Sequence, residues 1–160
     1  MIKNYFELSY QHQQNILSQL EAGKSHWRAI AFLLELLKNG TFHEHLGQGK
    51  LLLLLDDQTS EKDSPLLKAF LTLCDRDEIV APELFPWIGF VFTFPEHRGN
   101  RLSEKLIDYA GELAKALYPE GNLYVSTDHV GLYEKYGFSF LKNGTSIWGG
   151  KTRILVKKLK

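Results

Sequence analysis

A single cysteine among 160 residues, Cys74, leaves no partner for an internal disulfide. The fold has to stand without covalent staples, and a chain of this length buries about 70% of its unfolded surface by the usual scaling. Cys74 ends the strand-like run Leu71-Thr-Leu-Cys, where a small buried thiol is the ordinary reading and a nucleophile is not. Charge of one sign is also lacking. Lys plus Arg and Asp plus Glu both number 19, so net charge supports neither a nucleic-acid nor an acidic-membrane partner. No run approaches the roughly 18 apolar residues of a membrane span. The N-terminus has no basic segment followed by an apolar core, and a soluble, cytoplasmic protein is expected. Repeats and low-complexity segments are absent from the sequence, so a second domain is not expected.

What is present is one apolar run with no polar side. Trp87 to Phe94 carries Ile88, Phe90, Phe92 and Phe94 at alternate positions, with Trp87, Gly89, Val91 and Thr93 between them. It reads as a central strand buried on both faces. Pro95 ends it, Gly99-Asn100 supplies a sharp turn and an N-cap, and Leu102, Leu106, Tyr109, Ala110, Leu113 and Leu117 recur at helical steps. The first amides of that helix, around Arg101 to Ser103, have no intrahelical partner and lie at the positive end of the peptide dipole. Arg98 and Arg101 add two full charges. A phosphate or pyrophosphate suits such a place, although any strand-to-helix turn in an α/β protein looks roughly like this.

Two segments carry a resemblance. Phe94-Pro-Glu-His-Arg-Gly-Asn-Arg-Leu-Ser with its helix, and Leu123-Tyr-Val-Ser-Thr-Asp-His-Val-Gly-Leu-Tyr-Glu-Lys-Tyr-Gly-Phe138, are similar to the acetyl-CoA-binding motif and the following motif of the GNAT superfamily of N-acetyltransferases. The likeness spans residues 86 to 140. It implies an α/β fold with a mixed, mostly antiparallel twisted sheet, a central parallel strand pair splayed at the cofactor site, and flanking helices. It also implies one domain over 1–160: acceptor-side helices and strands in 1–85, the acetyl-CoA motifs in 86–140, and a C-terminal strand region in 141–160.

Acetyl-CoA is the implied cosubstrate, with no metal. By the resemblance, Arg98, Gly99, Asn100, Arg101, Leu102 and Ser103 hold its pyrophosphate. The amides of Phe92 and Phe94 hold the pantetheine arm or polarise the thioester carbonyl, and Tyr133 is the general acid for the departing thiolate. The family pattern reads Arg or Gln, two residues, Gly, one residue, then Gly or Ala. Arg98 keeps the first position, while Arg101 and Ser103 stand at the later two. Serine is small enough for a pyrophosphate to approach, but Arg101 has to turn its side chain away from the amides. Read from its neighbours alone, Tyr133 is equally a core tyrosine beside Tyr136, Phe138 and Phe140.

Elsewhere the pattern is plainer. Residues 5 to 22 suggest an amphipathic helix, and Ser25 caps a more apolar one through Trp27 to Leu37 that stops at Asn39-Gly40. In the resembled family these helices wall the acceptor site and sometimes meet a second subunit, so a homodimer is possible. His43 and His45 belong to a solvated loop, with no further metal ligands nearby. Lys50 to Leu55 and Leu66 to Cys74 read as antiparallel strands joined by the polar loop Asp56 to Ser64. Leu123 to Thr127 is a second two-faced strand, parallel to the first across a right-handed crossover. Val130 to Tyr136 is a short helix capped by Asp128. Phe138 to Leu141 is a strand, and Asn143-Gly144 competes with Gly149-Gly150 for the turn before a last strand at Arg153 to Leu159. Ile147-Trp148 lines a pocket or packs on the sheet. Lys157, Lys158 and Lys160 solubilise an edge.

The base is sought in the acidic connection Asp75-Arg-Asp-Glu78 before the central strand. Glu78 or Asp77 is the candidate to draw in a cationic amine and take its proton, against the alternative of a charged surface loop. His129 is a further possible base. The implied function is transfer of acetyl from acetyl-CoA to a primary amine, of a small molecule or a peptide, by direct attack in a ternary complex. The alternative is a non-catalytic acyl-CoA-binding or sensor protein of the same fold.

Overall fold

The computed structural model describes residues 1–57, 65–119 and 121–159. From residue 58 onward the expected Asp56 to Ser64 loop lies outside the described residues, as does Lys160. Seven strands form one sheet in the order β1-β2-β3-β4-β5-β7-β6. They are β1 (Ile2–Asn4), β2 (Gly49–Leu55), β3 (Leu67–Cys74), β4 (Trp87–Thr93), β5 (Asn122–Thr127), β6 (Ser139–Thr145) and β7 (Lys151–Lys158). Only β4 and β5 run parallel. The helices are α1 (Tyr10–Gly23), α2 (Arg28–Asn39), the single turn α3 (Phe42–Leu46) and α4 (Leu102–Leu117). The expected α/β class, the mostly antiparallel sheet and the one parallel pair are all present.

Strand period two sorts the side chains of β2 into two cores, and a smaller third holds Ile79, Ala81, Trp87, Tyr124 and Ile154. Leu51, Leu53 and Leu55 of β2 join Ile16, Leu20, Ile30 and Leu33 under α1 and α2, while Leu52 and Leu54 join Leu106, Ile107, Ala110 and Ala114 under α4. Leucine is a modest strand former, so burial on both faces sets this strand rather than intrinsic preference.

Several boundaries differ from the sequence expectation, each for a local reason. The helix expected over residues 5 to 22 is broken into a 3-10 turn, Tyr5–Glu7, and α1, whose N-cap Ser9 accepts from the His12 amide at 3.2 Å. Ser25 caps nothing: α2 begins after Trp27, whose side chain makes no cap bond. His43 and His45 lie in α3, not in a loop. The segment after Thr127 folds only into a 3-10 turn, Glu134–Tyr136, closed by Gly137 at φ +92°. Thr127 Oγ1, not Asp128, takes the His129 amide at 3.0 Å. Strand β6 runs on through Asn143-Gly144, and the hairpin turns at Ser146 to Gly150, where the Ser146 amide donates to the Gly150 carbonyl at 2.8 Å.

The central strand holds the largest departure. Ile88 packs on the α4 side, as the alternation requires, but Phe90, Phe92 and Phe94 pack under α1 and α2. Pairing with β3 jumps between Thr72↔Gly89 and Phe70↔Phe92, and Phe90 takes φ +48°. One extra residue in β4, a bulge at Phe90, has exchanged its two faces. The phenylalanines therefore do not share Ile88's side, contrary to the sequence pattern.

Candidate active site

Strands β4 and β5 pair at only two positions, Trp87↔Tyr124 and Ile88↔Val125. Beyond them the strands part, and a cavity of about 560 Å³ opens between Gly89–Phe92 and Val125–Asp128. In an open sheet this is where a ligand enters, past the carboxyl ends of parallel strands.

The bulge decides which main-chain groups face the gap. Phe94 donates its amide to the Lys68 carbonyl of β3 at 2.9 Å, and by the two-residue alternation Phe92 points the same way, opposite Phe70. The amides of Phe92 and Phe94 are thus turned away from the cavity. The open side belongs to Val91 and Thr93, and the Thr93 carbonyl already accepts from Arg98 Nε at 3.0 Å. Before the bulge the outward groups are even-numbered, as the Pro86 carbonyl shows by accepting from the Tyr124 amide at 3.0 Å. After it they are odd-numbered.

At the far end of β4 lies the turn into α4. Its N-cap is Arg101, at φ +56°, not Asn100; the Asn100 side chain instead donates to the His97 carbonyl at 3.2 Å. A left-handed arginine explains why glycine suits this position. Among the described residues none of the amides from Gly99 to Glu104 has a hydrogen-bond partner; the first bonded one is Lys105, to Arg101 at 3.1 Å. Ser103 Oγ and Thr93 Oγ1 lie 2.8 Å apart and tie the helix start to the strand end. A shallower depression of about 420 Å³ is lined there by Arg98, Gly99, Arg101, Leu102 and Ser103. Open amides, a helix N-terminus and Arg98 form an anion cradle, and the open groups of Val91 with the Thr93 amide match a peptide-like arm. A ligand with a diphosphate and amide-bearing arm, such as acetyl-CoA, fits these residues.

The other end of the cavity is acidic. Asp77 Oδ2 accepts from Ser126 Oγ at 2.9 Å, and its Oδ1 lies so close to Gly89 that a Cβ there would stand 2.4 Å away. Burial pushes the Asp77 carboxyl up to about 6, against the Ser126 hydrogen bond, which lowers it. Glu78 also lines the cavity, but one of its oxygens, Oε2, accepts from Trp148 Nε1 at 2.6 Å. Tyr133 lies in the cavity wall with its ring edge-on to Tyr136 and Phe138. Burial first, then Tyr136 and Asp77, raise its phenol above the usual tyrosine range, so it stays protonated at neutral pH. His129 and Asp128 are exposed at the rim. Cys74, with its thiol pushed up to about 12 by burial, is no nucleophile. No group of three or more metal-ligating side chains occurs among the described residues.

Sequence reasoning did not single out Gly89, Ser126, Val91 or Thr93. A lone glycine inside a strand pattern is the one signal that pointed to a bulge and a close approach.

No protein-family model matches the chain, and no curated protein matches it. Solved structures do. A GNAT-family protein from Desulfovibrio desulfuricans superposes at TM-score 0.68 with 11% identity, over 100% of this chain and 99% of that one. An aminoglycoside 6'-N-acetyltransferase complexed with coenzyme A gives 0.61 at 14%, over 100% and 97%. A chimeric spermidine N-acetyltransferase from Vibrio cholerae gives 0.62 at 16%, over 99% and 96%. The splayed parallel pair and the helix-capped turn thus occur in a chain with the fold of the GNAT acetyltransferases.

Proposed function

We propose that this chain is a single-domain acetyltransferase that moves acetyl from acetyl-CoA to a primary amine in a ternary complex. The observation that carries the reading is the gap between β4 and β5, with an anion cradle at one end and a carboxylate of raised pKa at the other. The amides of Gly99 to Glu104, with Arg98, hold the pyrophosphate. The open groups of Val91 and the Thr93 amide hold the arm and align the thioester.

Asp77, rather than Glu78, acts as the base. Its carboxylate is ionised near neutral pH yet basic enough to accept a proton from an ammonium ion, directly or through water. The neutral amine attacks the carbonyl carbon, the C–N bond forms as the C–S bond breaks, the Tyr133 hydroxyl gives its proton to the leaving sulfur, and the surplus proton on nitrogen passes through water to the Tyr133 oxygen, which restores the phenol and leaves a neutral amide. A donor and an acceptor whose environments push both pKa values up suit these two roles. The aminoglycoside and spermidine names of two fold neighbours support an amine acceptor in general terms.

The test is Tyr133→Phe. Its kcat should fall about 10²–10⁴-fold while calorimetric affinity for acetyl-CoA holds. A wild-type protein that binds acetyl-CoA and releases no thiol with any amine would mark a sensor instead.

A further inference from the structure

The acceptor end of the cavity has its own chemistry, which narrows the amine within the acetyl transfer proposed for this site and rests on that reading. Arg98 is fastened to Thr93 and Asp77 lies against Gly89, and because of the bulge only three steps of β3, Thr72 to Ala69, or roughly 10 Å at 3.3 Å each, separate cationic and acidic ends. Among the described residues lining the cavity, Arg98 is the one lysine or arginine, and Asp77, Glu78 and Asp128 are the carboxylates.

Aromatic rings from separate elements flank the cavity: Trp27 lines it toward the Arg98 end, where the guanidinium lies 5.5 Å over the Phe92 ring, and Trp148 stands outside the lining beside Glu78. Phe90, turned by its left-handed backbone, stacks on Phe32 of α2 at 6.4 Å and 14°, and Trp27 stacks on Phe92 at 5.6 Å and 8°. Trp148, from the β6–β7 turn, meets Phe32 edge-on at 5.6 Å while donating to Glu78. Its residue is nonetheless 69% exposed, and Trp27 is 36% exposed. An indole that is oriented by a ring and a carboxylate, yet left uncovered, is a preformed surface for a flat apolar body.

We propose that the acceptor is a monoamine carried on an aromatic ring, its ammonium at Asp77 and Glu78 and its ring against Trp148. A carboxylated acceptor meets no lysine or arginine at that end. A polyamine would carry its further charges toward Arg98 or onto Asp128 alone. A sugar amine would lay many hydroxyls on carbon surfaces that cannot satisfy them.

The experiment measures thiol release from acetyl-CoA with 2-phenylethylamine, spermidine, kanamycin and glycine, with acetyl-CoA binding followed by calorimetry in the same samples. The expected result is a kcat/KM for 2-phenylethylamine at least tenfold above the others. Trp148→Ala should raise its KM about tenfold with acetyl-CoA affinity unchanged, and Trp148→Phe should restore most of it. Faster turnover of spermidine, kanamycin or glycine would overturn this inference and leave the transferase reading intact. If acetyl-CoA binds and no amine releases thiol, the transferase reading falls. Quenching of tryptophan fluorescence by 2-phenylethylamine, lost in Trp148→Ala, would then still support the ring site, and its absence would sink it.

Discussion

Replacing Asp77 with asparagine should make the protein more stable and less active, and the two effects can be separated by pH. Asparagine is nearly isosteric and its amide can keep the 2.9 Å bond to Ser126. What it removes is the cost of ionising a carboxyl inside the cavity. Burial raises that carboxyl from an ordinary 3.8 to about 6, which at about 1.4 kcal/mol per pKa unit is a cost of about 3 kcal/mol. The sign follows from which state holds the proton. Below about pH 4 both folded and unfolded chains are protonated and nothing is lost. Between about 4 and 6 the unfolded chain ionises first, so stability drops as pH rises, and above 6 the full penalty stands.

The difference between variant and wild type should therefore be near zero at pH 4 and reach about 3 kcal/mol in favour of Asp77→Asn at pH 8, roughly 6–12 °C in Tm for a domain of this size. Urea denaturation at both pH values measures it. Turnover should move the opposite way, falling about 10²–10⁴-fold with loss of the limb near pH 6 in kcat/KM. A variant whose stability difference is the same at pH 4 and pH 8 would refute the placing of an ionised, desolvated carboxylate here. Unchanged turnover would remove Asp77 from the chemistry.

Three further substitutions test separate parts of the site. Gly89→Ala puts a methyl 2.4 Å from Asp77 Oδ1; displacing the base should lower kcat about 10²-fold with little change in acetyl-CoA affinity by calorimetry. Arg98→Ala removes a charge-assisted contact and should weaken acetyl-CoA binding roughly 10–100-fold while leaving acetyl-pantetheine, which has no pyrophosphate, unaffected. Arg101→Gly relieves a left-handed non-glycine residue at φ +56° and should raise unfolding stability by about 1 kcal/mol, the left-handed penalty less the entropy of glycine, as read from the urea midpoint.

Much of the architecture was legible because it is written in local pattern. The two-faced runs at Trp87 to Phe94 and Leu123 to Thr127 became the parallel pair Trp87–Thr93 and Asn122–Thr127, the stripe from Leu102 to Leu117 became α4, and the leucine run became a strand buried on both sides. The turn carrying Arg98 was readable for the same reason. What failed depends on chain segments far apart in sequence. Glu78 and Trp148 are 70 residues apart and meet through a side-chain bond, and Asp77 finds Ser126 at a separation of 49. No spacing rule reaches that far, so the acidic connection yielded two candidate bases and could not say that Ser126 holds one and Trp148 the other.

The failure at Phe92 and Phe94 is of another kind, and it shows how little sequence separates a closed sheet from an open one. Strict alternation in β4 would keep even-numbered amides pointing at β5 along the whole strand, as the Pro86 carbonyl begins by doing. A regular β4 would have every reason to continue pairing with β5, and the cavity would be filled by ladder bonds. The bulge at Phe90 shifts the outward groups to Val91 and Thr93, adds local twist, and leaves them without a strand partner. The same shift carries the rings of Phe90 and Phe92 to the side of α2, where Phe32 and Trp27 meet them. A single inserted residue thus opens the gap, supplies it with free main-chain groups and builds its aromatic wall. It follows that deleting one residue at Phe90 should restore the alternation, close the gap and abolish acetyl-CoA binding, as calorimetry would read it, even though Arg98, the α4 turn, Asp77 and Tyr133 all remain in the chain.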